Sequence, residues 1–302
     1  MKDLLNTSWT LYRLSPLHHK EHAESLLTNQ SALTTHATRL HDHLTGTIPS
    51  QTTDPETDSL SRTGALKSCL WTPLPQSPST AQGILITLEY ENITYKAALL
   101  APESYNENEN ENENKNKTNI PLLLTRFPAP VRQSFLAFLS STFDTYHAPL
   151  KLSTQFLSTS LEDYVNALEP GSLENVLREV QLTVSFAGAV APALRSLNIT
   201  VPRASIAGFV EAGSRRPGES ILAGLSGFIE GHLAMDLDLA GLRRESAARK
   251  YVRVSRIACG GFVLGADGKM KLVGREDEGV SRACGVLLDA VVRRACVREG
   301  FV

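Results

Sequence analysis

An α+β fold, with helices laid on a mostly antiparallel sheet, is what this 302-residue sequence predicts. Three observations predict it. Ile84–Tyr90 and Ile93–Leu100 are β-rich runs on either side of Glu91-Asn92, the clearest hairpin signal in the chain. The chain also starts on a strand. Trp9 and Leu11 alternate with Thr10, Tyr12 and Leu14, and Ser15-Pro16 stops the run. Third, stretches of helical period interleave the strands. The strongest is Ser220–Leu233, where Ile221, Leu222, Leu225, Phe228, Ile229 and Leu233 recur at steps of three and four. Short turns between strands require antiparallel pairing, and amphipathic helices need an apolar sheet face to cover.

The elements follow in order. Ser31–Leu44 reads as a helix, with Ser31 as N-cap and Gly46 as the stop. Residues 47–60 read as loop, and Gly64–Trp71 as a strand broken by Pro73, Pro75 and Pro78. After the hairpin, Asn106–Lys117 is a Glu/Asn repeat without an apolar residue, so it buries nothing to offset ordering and is expected as a disordered insertion. Ile120–Arg126 reads as a buried strand. A Pro-started helix follows to Phe143, with Val131, Phe135, Phe138, Leu139 and Thr142 in register. Ser158–Leu168 reads as a helix ended by Pro170-Gly171, Val176–Phe186 as an alternating strand, and residues 197–210 as an interrupted strand region. Tyr251–Leu264 and Met270–Val273 form a predicted hairpin turning at Ala266–Lys269, and Val280–Val297 closes the chain as a helix. Residues 1–105 are thus expected as an N-terminal α/β part, 106–118 as the insertion and 119–302 as a C-terminal α/β part.

Bulk numbers narrow the function classes. A net charge of −2 argues against a protein that grips nucleic acid with its whole surface. The charge is uneven, however: the first 150 residues carry 11 Lys/Arg against 15 Asp/Glu, and the remainder 19 against 17. Polyanion contact is therefore expected in the second half, and locally. Met1–Asn6 has no apolar signal core, and no run approaches the roughly 18 apolar residues of a membrane span. Cys69, Cys259, Cys284 and Cys296 lack CxxC spacing, which predicts reduced thiols in an intracellular compartment.

Catalytic and metal motifs fail on inspection. Gly265–Lys269 lacks the earlier glycine of a phosphate loop, where Val263 stands, and the following hydroxyl, where Met270 stands, so it reads as a hairpin turn. Gly260-Gly261 reads as a bulge or a close backbone approach. Gly224–Phe228 misses the nucleophile elbow at its fifth position and lies inside a helical stripe, which leaves Ser226 a weak candidate nucleophile. His18, His19, His22, His36, His41 and His43 cluster without a nearby cysteine, and no metal site is expected from them. The run Arg243, Arg244, Arg249, Lys250, Arg253 and Arg256, opposed by Glu245 alone, has the charge to neutralise phosphates. The same composition also fits a solvated basic rim, and no aromatic interleaving suggests base stacking.

Five segments, in order, carry a resemblance: Arg13–His19 with its preceding strand, Thr63–Trp71, Leu88–Leu100, Leu122–Pro128 with its Phe-rich helix, and Cys259–Gly265. Together they resemble the CENP-L family of inner-kinetochore subunits in its fungal form. The resemblance implies a large curved sheet like that of the TATA-box-binding protein. It also implies a non-enzymatic scaffold of the constitutive centromere-associated network, without a cofactor or a membrane anchor. Such a protein sits at the centromeric kinetochore in the nucleus and serves chromosome segregation. It pairs with a CENP-N-type partner through its C-terminal half, with a homodimer as the state without that partner. It contacts other inner-kinetochore proteins and centromeric nucleosome DNA. On this reading the partner surface is carried by Ile221, Leu225, Phe228, Ile229, Leu287 and Val291, and the DNA-facing groove by Arg243, Arg244, Arg249, Lys250, Arg253 and Arg256. The alternatives are a serine hydrolase using Ser226 and a stand-alone DNA-binding protein.

Overall fold

The computed structural model describes residues 1–18, 26–27, 29–47, 63–74, 82–102, 117–188, 193–215, 220–239, 251–275 and 277–297. The predicted loop at 47–60 and the Glu/Asn repeat Asn106–Lys117 lie outside them, except for Thr47, which ends a helix, and Lys117, which is in a strand. Among the described residues, thirteen strands and seven α-helices are present, and the strand pairings given by register are all antiparallel. The α+β class with a large antiparallel sheet is what the structure shows. The chain divides into two compact units, one of Trp9–Leu150 with Met1 and Val291–Val302, the other of Lys2–Ser8 with Lys151–Ala290.

The first unit is built on β1 (Ser8–Leu14), β3 (Leu66–Pro73), β4 (Gln82–Tyr90), β5 (Thr94–Ala101), β7 (Leu122–Thr125) and β8 (His147–Pro149), in the order β8-β1-β7-β5-β4-β3. A two-residue ladder, β2 (Leu17–His18) with β6 (Lys117–Thr118), lies apart from it, so the expected insertion gives way to a strand at Lys117. The hairpin is as the sequence predicts, with Tyr90 N–H donating to the Ile93 carbonyl across the turn. Two helices, α1 (Gln30–Thr47) and α2 (Ala129–Phe143), supply Leu33, Ala37, Leu40, Leu44, Phe135, Phe138 and Phe143 to a core with Trp71, Ile84, Ile86, Leu88 and Leu99. The N-cap of α1 is Asn29, whose Oδ1 accepts from Ala32 N–H at 3.1 Å, two residues earlier than predicted. Both Asn and Ser suit a cap, and spacing alone does not separate them.

The second unit holds β9 (Glu179–Phe186), β10 (Ser196–Pro202), β11 (Val252–Ala258), β12 (Phe262–Gly265) and β13 (Lys269–Leu272), ordered β10-β9-β11-β12-β13. Its helices are α3 (Thr154–Ala167), α4 (Pro170–Val176), α5 (Arg203–Arg215), α6 (Ile221–Leu233) and most of α7 (Glu278–Cys296). Three readings change here. Residues 197–210 are strand only to Pro202, then α5. Proline ends the ladder by removing a donor, and Ile206, Phe209 and Val210 take helical spacing on one face. The predicted strand 251–264 breaks at Cys259–Gly261, so the hairpin becomes a three-stranded meander. Helix α3 begins a turn early because Ser153 Oγ accepts from Phe156 N–H at 3.2 Å.

Candidate nucleic-acid interface

The strands of the second unit alternate between a buried and an open face, with one irregularity in β11. Val180, Leu182, Val184, Ile199, Val201, Val254, Ile257, Leu264 and Met270 are buried. Gln181, Asn198, Thr200, Arg253, Arg256 and Lys269 on the opposite face are exposed. Directly paired residues share a face, so the register places Asn198, Thr183 and Arg256 in one row and Ser196, Ser185 and Arg253 in the next.

Arg253 and Arg256 are three residues apart, a separation that in a regular strand puts side chains on opposite faces. A register shift between Val254 and Arg256 returns Arg256 to the face of Arg253. Hydroxyls line this irregularity. Ser255 Oγ donates to the Thr183 carbonyl at 3.1 Å and lies 2.8 Å from Ser185 Oγ, while Thr183 Oγ1 donates to Asn198 Oδ1 at 2.8 Å. Neither guanidinium has a carboxylate partner among the described residues. Lys269 does, pairing with Asp267 at 3.1 Å. Arg243, Arg244, Arg249 and Lys250 lie outside the described residues, so of the predicted basic run the structure places two members.

The apolar candidates are placed differently. Ile221, Leu225 and Ile229 on α6, and Leu287 and Val291 on α7, are buried within the chain itself. Phe228 is half-buried, stacked on His232 with ring centroids 4.1 Å apart and edge-on to Phe209 at 6.2 Å. What α6 leaves exposed is Gly227, Glu230, Gly231, His232 and Leu233.

Ser226 has a structural occupation. It sits on α6, and its Oγ accepts from Leu239 N–H at 3.0 Å, tying the segment after the helix back onto it. His232, the one histidine downstream of it, places Nδ1 2.8 Å from the Phe228 carbonyl. The thiols of Cys259 and Cys284 are pushed up to about 11 by burial, far from thiolate at neutral pH. Gly265–Lys269 is the expected turn, with Gly268 at φ 77° and its N–H donating to the Gly265 carbonyl at 3.0 Å. Among the described residues no group of three or more His, Cys, Asp or Glu is placed to hold a metal. His36 instead packs against Phe143, with centroids 4.7 Å apart, and His43 Nε2 lies 3.2 Å from the Ser134 carbonyl. His19 and His22 lie outside the described residues.

A search of individually curated proteins finds no match. The family model for centromere protein L, CENP-L, matches residues 3–296. This chain belongs to the CENP-L family. It is accordingly a protein of the centromere and kinetochore, in the nucleus, and serves chromosome segregation. CENP-L is a structural kinetochore family whose members associate with other inner-kinetochore proteins. No described helix is long and apolar enough to cross a membrane. The match runs over both units, so the five ordered segments read from the sequence were sampling one continuous likeness.

Proposed function

We propose that this CENP-L family member is a non-enzymatic scaffold subunit that pairs with a CENP-N-type partner and helps link centromeric chromatin to the rest of the kinetochore. The observation that carries the reading is the family match over residues 3–296. The pairing surface lies in the C-terminal half, on α6 and α7. Because Ile221, Leu225, Ile229, Leu287 and Val291 are buried, they shape that surface from beneath, while Phe228 and Leu233 are the apolar side chains α6 offers to a partner. Alone, the chain has the same surface with which to form a homodimer.

DNA contact is assigned to the basic run Arg243–Arg256, of which Arg253 and Arg256 are exposed and have no carboxylate partner among the described residues. Such charges contribute counterion release on binding and make affinity fall with salt. Co-expression with a CENP-N-type protein tests the pairing. The two should co-elute as a heterodimer, and persistent separate elution removes the central reading. Reversing Arg249, Lys250 and Arg253 to Glu should lower duplex DNA affinity and flatten its salt dependence. Unchanged binding takes those residues out of the interface.

A further inference from the structure

The open face of the second unit's sheet carries more than arginines. Tyr251, immediately before β11, continues the alternation of Arg253, and its carbonyl accepts from Ala187 N–H at 2.7 Å, extending the β9–β11 pairing by one step. It is 47% exposed, although a tyrosine has enough apolar surface to be buried at some gain. The aromatic ring therefore stands on the same face as two guanidiniums that have no carboxylate partner among the described residues. Lys271, opposite Val263 in the register, adds a further cation on that face. Among the described residues acid is sparse there: Glu179 accepts from Gln181 at the far end of β9, and Asp267 is occupied by Lys269.

We infer that this face binds an unpaired polynucleotide strand, with Tyr251 stacking on a base and Arg253, Arg256 and Lys271 holding phosphates. The inference deepens the nucleic-acid reading above and rests on it. A duplex hides its base faces in its own stack and offers a sheet only backbone and groove. A single strand offers base faces to an exposed ring and base edges to short polar side chains. Asn198, Thr200, Gln181 and Ser196 supply donors and acceptors beside the arginines without adding charge. The irregularity at Ser255 matters because it puts both arginines on the ring's side. Without it, Arg256 would point into the helix-covered face.

Fluorescence anisotropy with the full chain tests this, using labelled 20-nucleotide dT and U oligomers and a mixed-sequence 20-base-pair duplex. Tyr251→Ala should weaken single-strand binding on the order of tenfold, while Tyr251→Phe, which keeps the ring, should retain it. The double variant Arg253→Glu/Arg256→Glu should reduce the slope of log affinity against log salt by about 1.4 on single strands. Tyr251 is exposed, so unchanged thermal melting of its variants is expected and confirms that they fold. Absence of single-strand binding, or binding indifferent to Tyr251→Ala, overturns the inference. If the duplex binds, loses affinity on arginine reversal and ignores Tyr251→Ala, the single-strand assignment falls while the DNA reading stands. Loss of co-elution with a CENP-N-type protein bears on the pairing alone.

Discussion

Gly261 stands where no side chain fits, because a Cβ built there meets the Tyr164 hydroxyl, and one built on Gly260 beside it would lie 2.5 Å from the Val176 carbonyl, which accepts from Gly260 N–H at 3.0 Å. Tyr164 is fully buried and edge-on to Phe262, with ring centroids 4.9 Å apart. Gly261→Ala therefore has to displace a buried ring and should cost about 1–3 kcal/mol, seen as a lower melting temperature. Asp277 is a second residue whose role is local. Its Oδ2 accepts from Ser172 Oγ at 2.5 Å, and its Oδ1 accepts from the N–H groups of Gly279 and Val280 at 2.9 and 3.3 Å, capping α7. The Ser172 hydroxyl, then those amides, hold the carboxyl below its ordinary value. A lowered folded-state value means that this stabilisation is present above the unfolded aspartate's value, near 3.9, and is lost as pH falls through the folded one. Ser172→Ala should move the Asp277 titration upward, toward that value, in a carbon-detected NMR titration. An unmoved titration would show that the amides alone set it.

At the scale of elements, legibility followed periodicity. Ser220–Leu233 announced itself by an apolar stripe, and the structure adds a cap that was not read from the sequence, Ser220 Oγ accepting from Ala223 N–H at 3.3 Å. Residues 197–210 did not, because Leu197, Ile199 and Val201 set a period of two that the eye carries past Pro202 into a helix with few apolar residues. The bulge at Ser255 left no trace in the sequence, since Ser255 is held by the Ser185 hydroxyl and the Thr183 carbonyl on β9, some seventy residues away. For the same reason the arginine pair and the ring of Tyr251 could be seen in the sequence as neighbours but not as sharing a face. The start of the chain shows the converse. Residues 2–8 belong with the second unit, where Asn6 at φ 58° bonds through its N–H to the Leu272 carbonyl at 2.7 Å and through Oδ1 to Gly274 N–H at 3.1 Å. Asn6→Ala gives up the side-chain bond and strains the left-handed backbone, so it should cost about 1–2 kcal/mol. Hydrogen exchange should then rise first at the amides of β13. Uniform protection across the second unit would show that the start of the chain adds nothing to that strand.

For the molecule as a whole, the question is which apolar residues hold this chain together and which are kept for a partner. Sequence period cannot separate the two, because a helix stripe facing its own core and one facing another subunit have the same spacing. Burial separates them. Leu225 is fully buried, and Leu225→Ala should cost about 2–5 kcal/mol in the chain alone. Any loss of pairing it causes would be secondary to a damaged fold. Leu233, on the same helix, is 40% exposed, so Leu233→Asp removes little from the core and should leave the melting temperature of the isolated chain within a degree or two. If α6 meets the CENP-N-type partner, that variant should fail to co-elute despite being folded, since an aspartate buried at an interface without a counter-charge is costly. The paired measurement is melting of the chain alone and co-elution with the partner. Leu233→Asp co-eluting as well as the unsubstituted chain would move the pairing surface off α6.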